Sequence, residues 1–222
     1  MVELDRTQQR ILGVLIEKEM ATPEQYPLTE NALVAGCNQK SNRDPEMGLE
    51  PFQVHGALVA MMSDGWAKTA TSTSGARSTR YAHRLDAHFT VDPQEKAVLC
   101  ELLVRGPQAP GALKPRVARL GFAGTPEQIE AVLRRMADKP VRMVEQLPRR
   151  PRERDNRWRH LLGPMDAAHE AGAAEAHELP VVRHSVAAPD PGAADLAARV
   201  QRLEEEVAAL RDEITRLRDG SD

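Results

Sequence analysis

The apolar positions Ile11, Leu12, Leu15 and Ile16 fall on one stripe of a 3.6-residue period, which predicts an amphipathic helix with a buried face. That helix runs from about Asp5 to Met20, until Thr22-Pro23 and Tyr26-Pro27 break the chain. Thr29 is placed to cap a second helix ending near Cys37. A third opens at Pro51, a favoured first-turn residue, and stops at Asp64-Gly65. Its stripe is Val54, Ala57, Leu58 and Met61. From Trp66 to Thr71 and from Arg77 to Leu85 the period changes to two, predicting a hairpin around Ser72 to Gly75.

The same succession then repeats. Ile11, Leu12, Leu15 and Ile16 recur as Val98, Leu99, Leu102 and Leu103. Val54, Ala57, Leu58 and Met61 recur as Ile129, Val132, Leu133 and Met136. Arg77, Arg80, Tyr81, His83 and Leu85 recur as Arg154, Arg157, Trp158, His160 and Leu162. Asp92-Pro93 opens the first helix of the second copy and Arg105-Gly106-Pro107 closes it. Pro110 opens the next, with Leu113, Val117 and Leu120 inward, and Thr125-Pro-Glu-Gln128 caps the third. Val141 to Leu147 and Trp158 to Leu162 form the second hairpin. The first copy is longer, and Ser41 to Glu50 is expected to hold most of the excess. Three helices followed by a hairpin, twice, predict a mainly α fold with small β-hairpins (α+β): two tandem winged-helix domains, 1–88 and 89–162.

Residues 163–194 lose the periodicity and are rich in Ala, Pro and acids, which predicts a disordered linker. Over 195–219 a heptad returns: Leu196, Leu203, Leu210 and Leu217 alternate with Val200, Val207 and Ile214. Leu at d with β-branched residues at a favours a parallel two-stranded coiled coil. Arg199 with Glu204, Glu206 with Arg211 and Glu213 with Arg218 would then pair across a dimer. The other reading is a helix folded back on its own body.

The overall charge of -3 conceals an asymmetry. The linker and heptad segments are acidic, while residues 66–84 carry Lys68, Arg77, Arg80 and Arg84 and no acid. Residues 147–160 carry Arg149, Arg150, Arg152, Arg154, Arg157 and Arg159 against Glu153 and Asp155. The positive charge of the body is thus concentrated on the hairpins, and arginine suits phosphate because its planar fork donates two hydrogen bonds at once. Two cysteines far apart, Cys37 and Cys100, imply neither a disulfide framework nor zinc. No apolar run is long enough for a membrane helix and the first ten residues carry no signal-peptide core, so a cytoplasmic location is expected.

No nucleotide loop, metalloprotease or nucleophile-elbow motif is present, so no catalytic residue, metal or cofactor is expected. His83 and His160 lie on the apolar face of the hairpins and read as packed side chains. Lys40 and Arg43 sit in the polar loop Asn38 to Pro45, which either touches phosphate or is a turn tied by its own asparagines. Among the outward positions of the third helices, Gln128, Arg134 and Arg135 suit base or phosphate contact. However, Glu127 and Glu130 oppose it, and the first copy offers only Gln53, His55, Gly56 and Ser63 there.

Thr22-Pro-Glu-Gln-Tyr-Pro-Leu-Thr29, then Asn31, then Cys37-Asn-Gln-Lys-Ser-Asn-Arg-Asp-Pro45 resembles the signature of the YceH-like family of bacterial proteins. Arg105-Gly-Pro-Gln-Ala-Pro-Gly-Ala-Leu113 resembles its second stretch, with Ala109 and Ala112 where the family pattern has Thr and Glu. The resemblance covers about residues 5–162. It implies a tandem winged-helix fold and supplies no catalytic or metal residue. Two functions follow as expectations. One is a dimeric DNA-binding protein of transcription-regulator type, touching phosphates through its hairpins and self-associating through the coil. The other is a protein-interaction adaptor, similar to the ScpB-type subunits of chromosome-condensing complexes.

Overall fold

The structure is a computed structural model describing residues 3–70, 78–150 and 153–165. The first copy comprises α1 (Arg6–Ala21), β1 (Leu28–Thr29), α2 (Glu30–Cys37), α3 (Pro51–Ser63), β2 (Ala67–Ala70) and β3 (Arg80–His83). The second comprises α4 (Pro93–Arg105), α5 (Pro110–Ala118), α6 (Pro126–Ala137), β4 (Val144–Gln146) and β5 (Trp158–His160). The described residues thus hold six α-helices and two small antiparallel sheets.

Local chemistry sets the helix ends. Asp5, Asp92 and Thr125 each accept a hydrogen bond from the backbone N–H three residues on, and Gln8, Glu95 and Gln128 reach back to the cap N–H. These are reciprocal capping boxes, which satisfy two orphan donors apiece. Thr29 caps α2 through the N–H of Ala32. By contrast, α5 starts at Ala109 with no side-chain cap and relies on Pro110 in its first turn. Past the end of α3, Gly65 takes φ of 78°, a conformation glycine adopts without strain.

Both copies contain a pairing too short to leave a periodic signal. Leu28 pairs with Tyr81, making a three-stranded sheet in the order β1-β3-β2. At the matching place in the second copy, Gln108 exchanges both backbone hydrogen bonds with Trp158, at 3.0 and 2.8 Å. The recurring His-x-Leu is explained by one device. His83 Nδ1 accepts the N–H of Leu85, and His160 Nδ1 accepts that of Leu162, both at 3.3 Å.

The longer first copy owes only part of its excess, rather than the expected most of it, to loop 38–50 against 119–125 in the second copy. The rest lies between α1 and α2, where a 3₁₀ turn, Pro23–Gln25, has no counterpart. Loop 38–50 is clamped at its ends by Asn38, whose side chain both donates to and accepts from the backbone of Leu49, each at 2.8 Å.

The two copies do not keep separate cores. All described residues lie within one compact unit, Met1–Leu179. A single apolar cluster joins Ile11, Leu15 and Trp66 to Val98, Leu102 and Leu133. Helices α1 and α4 pack against each other at its centre. Gly13 permits the approach: a Cβ there would lie 2.6 Å from Val104 Cγ1 and 3.0 Å from Leu103 Cβ. Consequently α1 is buried from Gln8 to Glu17 and α4 from Ala97 to Val104. At the far end, Leu4 donates to the carbonyl of Leu162 at 2.8 Å, tying the start of the chain to the second hairpin.

The expected coil positions Leu196, Val200, Leu203, Val207, Leu210, Ile214 and Leu217 lie outside the described residues, as do 166–194, the Ser72–Gly75 turn, Arg77 and Arg152.

Candidate nucleic-acid interface

The hairpins project their cations unevenly. Lys68 on β2, Arg84 just after β3, and Arg149 and Arg154 between β4 and β5 are exposed, as is Lys40 in the clamped loop. In the first hairpin Ala67, Tyr81, Ala82 and His83 are buried, whereas Lys68 and Thr69 are exposed.

Three expected phosphate ligands are engaged inside the protein instead. Arg43 is 4% exposed. Its guanidinium pairs with Glu17 at 2.6 Å and also donates to the carbonyls of Gly36 and Asn42 and to Gln39. Arg157 is buried against Glu153, 3.3 Å away, where burial and the charge of Arg150 lower its pKa. Arg80 is half-buried and donates to the carbonyl of Pro27 at 2.7 Å. Arg43 and Arg80 thus hold backbone of the first copy in place, whereas Nε and Nη2 of Arg157 are buried with no hydrogen-bond partner.

On α6 the expected contacts are exposed but occupied. Gln128 spends its amide oxygen on the capping box. Arg134 pairs with Glu130 at 3.1 Å. Arg135 bridges to Asp92 at 2.6 Å and Glu95 at 3.1 Å on the neighbouring helix α4. Glu130 also accepts from the indole N–H of Trp158 at 3.0 Å, which anchors the second hairpin to α6. Between this hairpin and the starts of α5 and α6 lies an open cleft whose charged lining is Glu127, Glu130, Arg134, Arg154 and Asp155. That mixture favours no single sign of ligand.

The outward face of α3 differs in kind. Phe52 is 74% exposed and Val59 is 50% exposed, with Gly56 between them and His55 beside it, paired to Glu30 at 3.0 Å. No Lys or Arg occurs on this helix. The exposed phenylalanine and valine are not among the outward positions expected. The signal is nonetheless present, since Phe52 and Val59 stand seven apart and off the Val54, Leu58, Met61 stripe.

Both cysteines are buried, and burial pushes the Cys37 thiol up to about 12 and Cys100 well above its ordinary value. Neither is a reactive thiolate. Among the described residues no group of three or more His, Cys, Asp or Glu could hold a metal ion, and no helix is long and apolar enough to cross a membrane.

The fold and this surface define a class: a mainly helical protein built from two copies of three helices and a hairpin fused through one core, with its exposed hairpin cations outside that core. The family model described as "Protein of unknown function, DUF480" matches residues 4–153, and the chain belongs to that family. Its curated relatives carry the name UPF0502 protein. One from Geobacter metallireducens is 44% identical over 89% of this chain and 85% of its own. Another from Azoarcus sp. is 38% identical over 99% and 92%, and a third from Koribacter versatilis is 40% identical over 90% and 87%. The YceH-like resemblance agrees with this assignment.

Proposed function

We propose that this chain is a non-enzymatic tandem winged-helix protein that binds duplex nucleic acid through phosphate contacts from its hairpins. The observation carrying this reading is the exposure of Lys68, Arg84, Arg149 and Arg154 on and beside the strands of the two hairpins. Contacts of this kind give affinity without choice of sequence. The third helices support no more than that, because α3 has no cation and those of α6 are paired within the protein. A parallel coil over 195–219 would join two such bodies in a cytoplasmic dimer and place four hairpins along one duplex.

The test is anisotropy of a labelled random duplex at about 50 and 200 mM salt. Affinity should fall steeply over that range. Replacing Lys68, Arg84, Arg149 and Arg154 together by Ala should weaken binding on every sequence. It should also flatten the salt slope by roughly one for each phosphate no longer neutralised. Equal affinity of the folded variant and the parent would sink this reading.

A second reading, a protein adaptor, is favoured by one observation: exposed Phe52 and Val59 on α3, the helix that would enter a groove in a DNA reader. Under it, Phe52→Ala leaves duplex binding unchanged and abolishes capture of a protein partner.

A further inference from the structure

Where the first turns of α1 meet loop 38–50, the end of α4 and β5, there is a cavity of about 40 Å³. A single water needs roughly 10–15 Å³, so the space suits a small group of atoms. Its polar lining includes Arg6, Arg10, Asp44, Arg159 and His160. Residues of both copies build it, so neither copy alone would contain it.

Arg10 is the unusual member. It is 3% exposed, deeper than any charged surface residue needs to be. Its two terminal nitrogens donate to backbone carbonyls, Cys37 at 3.0 Å and Pro45 at 2.7 Å. Its Nε is buried with no acceptor. The nearby buried Arg43 has the carboxylate of Glu17, whereas the hydrogen-bond partners of Arg10 are all neutral. A buried cation with neutral partners and an unmade hydrogen bond is costly unless something negative joins it. Burial, and then the charges of Arg43 and Arg6, push the Arg10 pKa down to about 10, and Cys37 and Asp44 only partly offset this. Arg159 already shares Glu145 across the hairpin at 2.5 Å, so it contributes mainly field. His160 is held neutral by burial and adds no charge at pH 7.

We propose that this junction cavity binds a small oxyanion of the phosphate type, with Arg10 as its buried cation and Arg6 and Arg159 beside it. The anion completes the hydrogen-bonding of Arg10 and links loop 38–50 of the first copy to the second hairpin. The cavity takes a phosphoryl group; a base or sugar attached to it would remain outside. The inference stands apart from duplex binding, since none of these residues belongs to the exposed hairpin set.

The test is isothermal titration of the full chain with inorganic phosphate, with sodium chloride at matched ionic strength as control and adenosine monophosphate as a second arm. Saturable phosphate binding with one site per chain is expected, absent with chloride. Arg10→Gln should weaken it by about tenfold or more, the scale of a lost charge-assisted hydrogen bond. Because Arg10 also holds the loop, Arg159→Gln serves as the second variant, with folding checked by circular dichroism, and should weaken phosphate several-fold. Tighter binding of adenosine monophosphate than of phosphate would mark the ligand as a nucleotide phosphate, and equal or weaker binding would mark it as the free ion. No heat beyond the chloride control, or undiminished binding in folded Arg159→Gln, overturns the proposal.

Discussion

At the scale of single residues, the buried charge of Arg43 is paired. Arg43 and Glu17 are both nearly inaccessible and lie 2.6 Å apart. Burial raises the Glu17 carboxyl, and the hydrogen bond and charge of Arg43 more than offset that, leaving it below its ordinary value. Arg43→Met should therefore cost about 3–5 kcal/mol in urea unfolding, because it strands a buried carboxylate. Adding Glu17→Gln should recover part of that loss, which a double-mutant cycle would read directly. His160 gives a pH prediction. Burial holds its folded pKa at about 4, against 6.5 ordinarily. The folded state thus resists a proton that the unfolded chain accepts. Stability should be complete above pH 6.5 and fall as pH drops toward 4, by up to about 3 kcal/mol from this group. Glu19 extends the loss further into acid. The hydrogen bond from His83 is the largest cause lowering it to about 2, and Lys96 adds to this. Its contribution is present above the ordinary carboxyl range and disappears as pH falls through 2. Unfolding midpoints at pH 7, 5 and 3 should decline in order, and His160→Gln should show a smaller drop from 7 to 5 than the parent. An equal drop would assign the pH dependence to other groups.

At the scale of elements, two central helices pack so closely that one glycine decides the distance between them. Gly13 has no room for a Cβ, since Val104 Cγ1 and Leu103 Cβ already occupy the space. Gly56 on α3 has nothing within 4 Å of the same position. Adding a side chain at these two glycines should thus act in opposite directions. Gly56→Ala should stabilise by about 0.5–1 kcal/mol through helix propensity. Gly13→Val should destabilise by about 1–3 kcal/mol or more by forcing α1 and α4 apart. Chemical denaturation of both variants checks the pair, and a stable Gly13→Val would show that the crossing can relax. Thr125→Ala should cost about 1 kcal/mol at the start of α6, where the capping box is reciprocal. No such loss is available at α5, whose Ala109 caps nothing.

At the scale of the molecule, one continuous core predicts one unfolding transition. Trp66 and Trp158 are the two tryptophans, one in each copy, and both are buried. In Trp158→Phe, fluorescence of Trp66 reports on the first copy alone. Its urea midpoint should coincide with that of the far-ultraviolet circular dichroism, which reads both copies. Two separated midpoints would mean that the copies fold independently despite the α1–α4 contact.

The order of elements and most of their ends are legible in the chain of residues. Periodicity reports burial, and capping and breaking residues act within a few positions of themselves, so both can be read along the chain. That is why Asp92, Thr125 and Gly65 stand where local chemistry expects them, and why the repeat shows in the pattern of apolar positions. What the charges do is settled by tertiary packing. Arg43, Arg80 and Arg157 look like free surface cations in a row of residues, but Arg43 and Arg80 donate to backbone carbonyls and Arg157 is buried beside Glu153. Arg10 looks like one more helix residue, yet it lies buried where the two copies join. The two-residue strand β1 and the Gln108 bridge leave no periodic trace because they are shorter than any period. Whether a charge faces water or a partner is decided by how the segments pack: Arg80 meets Pro27 where β3 pairs with β1, and Arg43 meets Glu17 where loop 38–50 lies on α1.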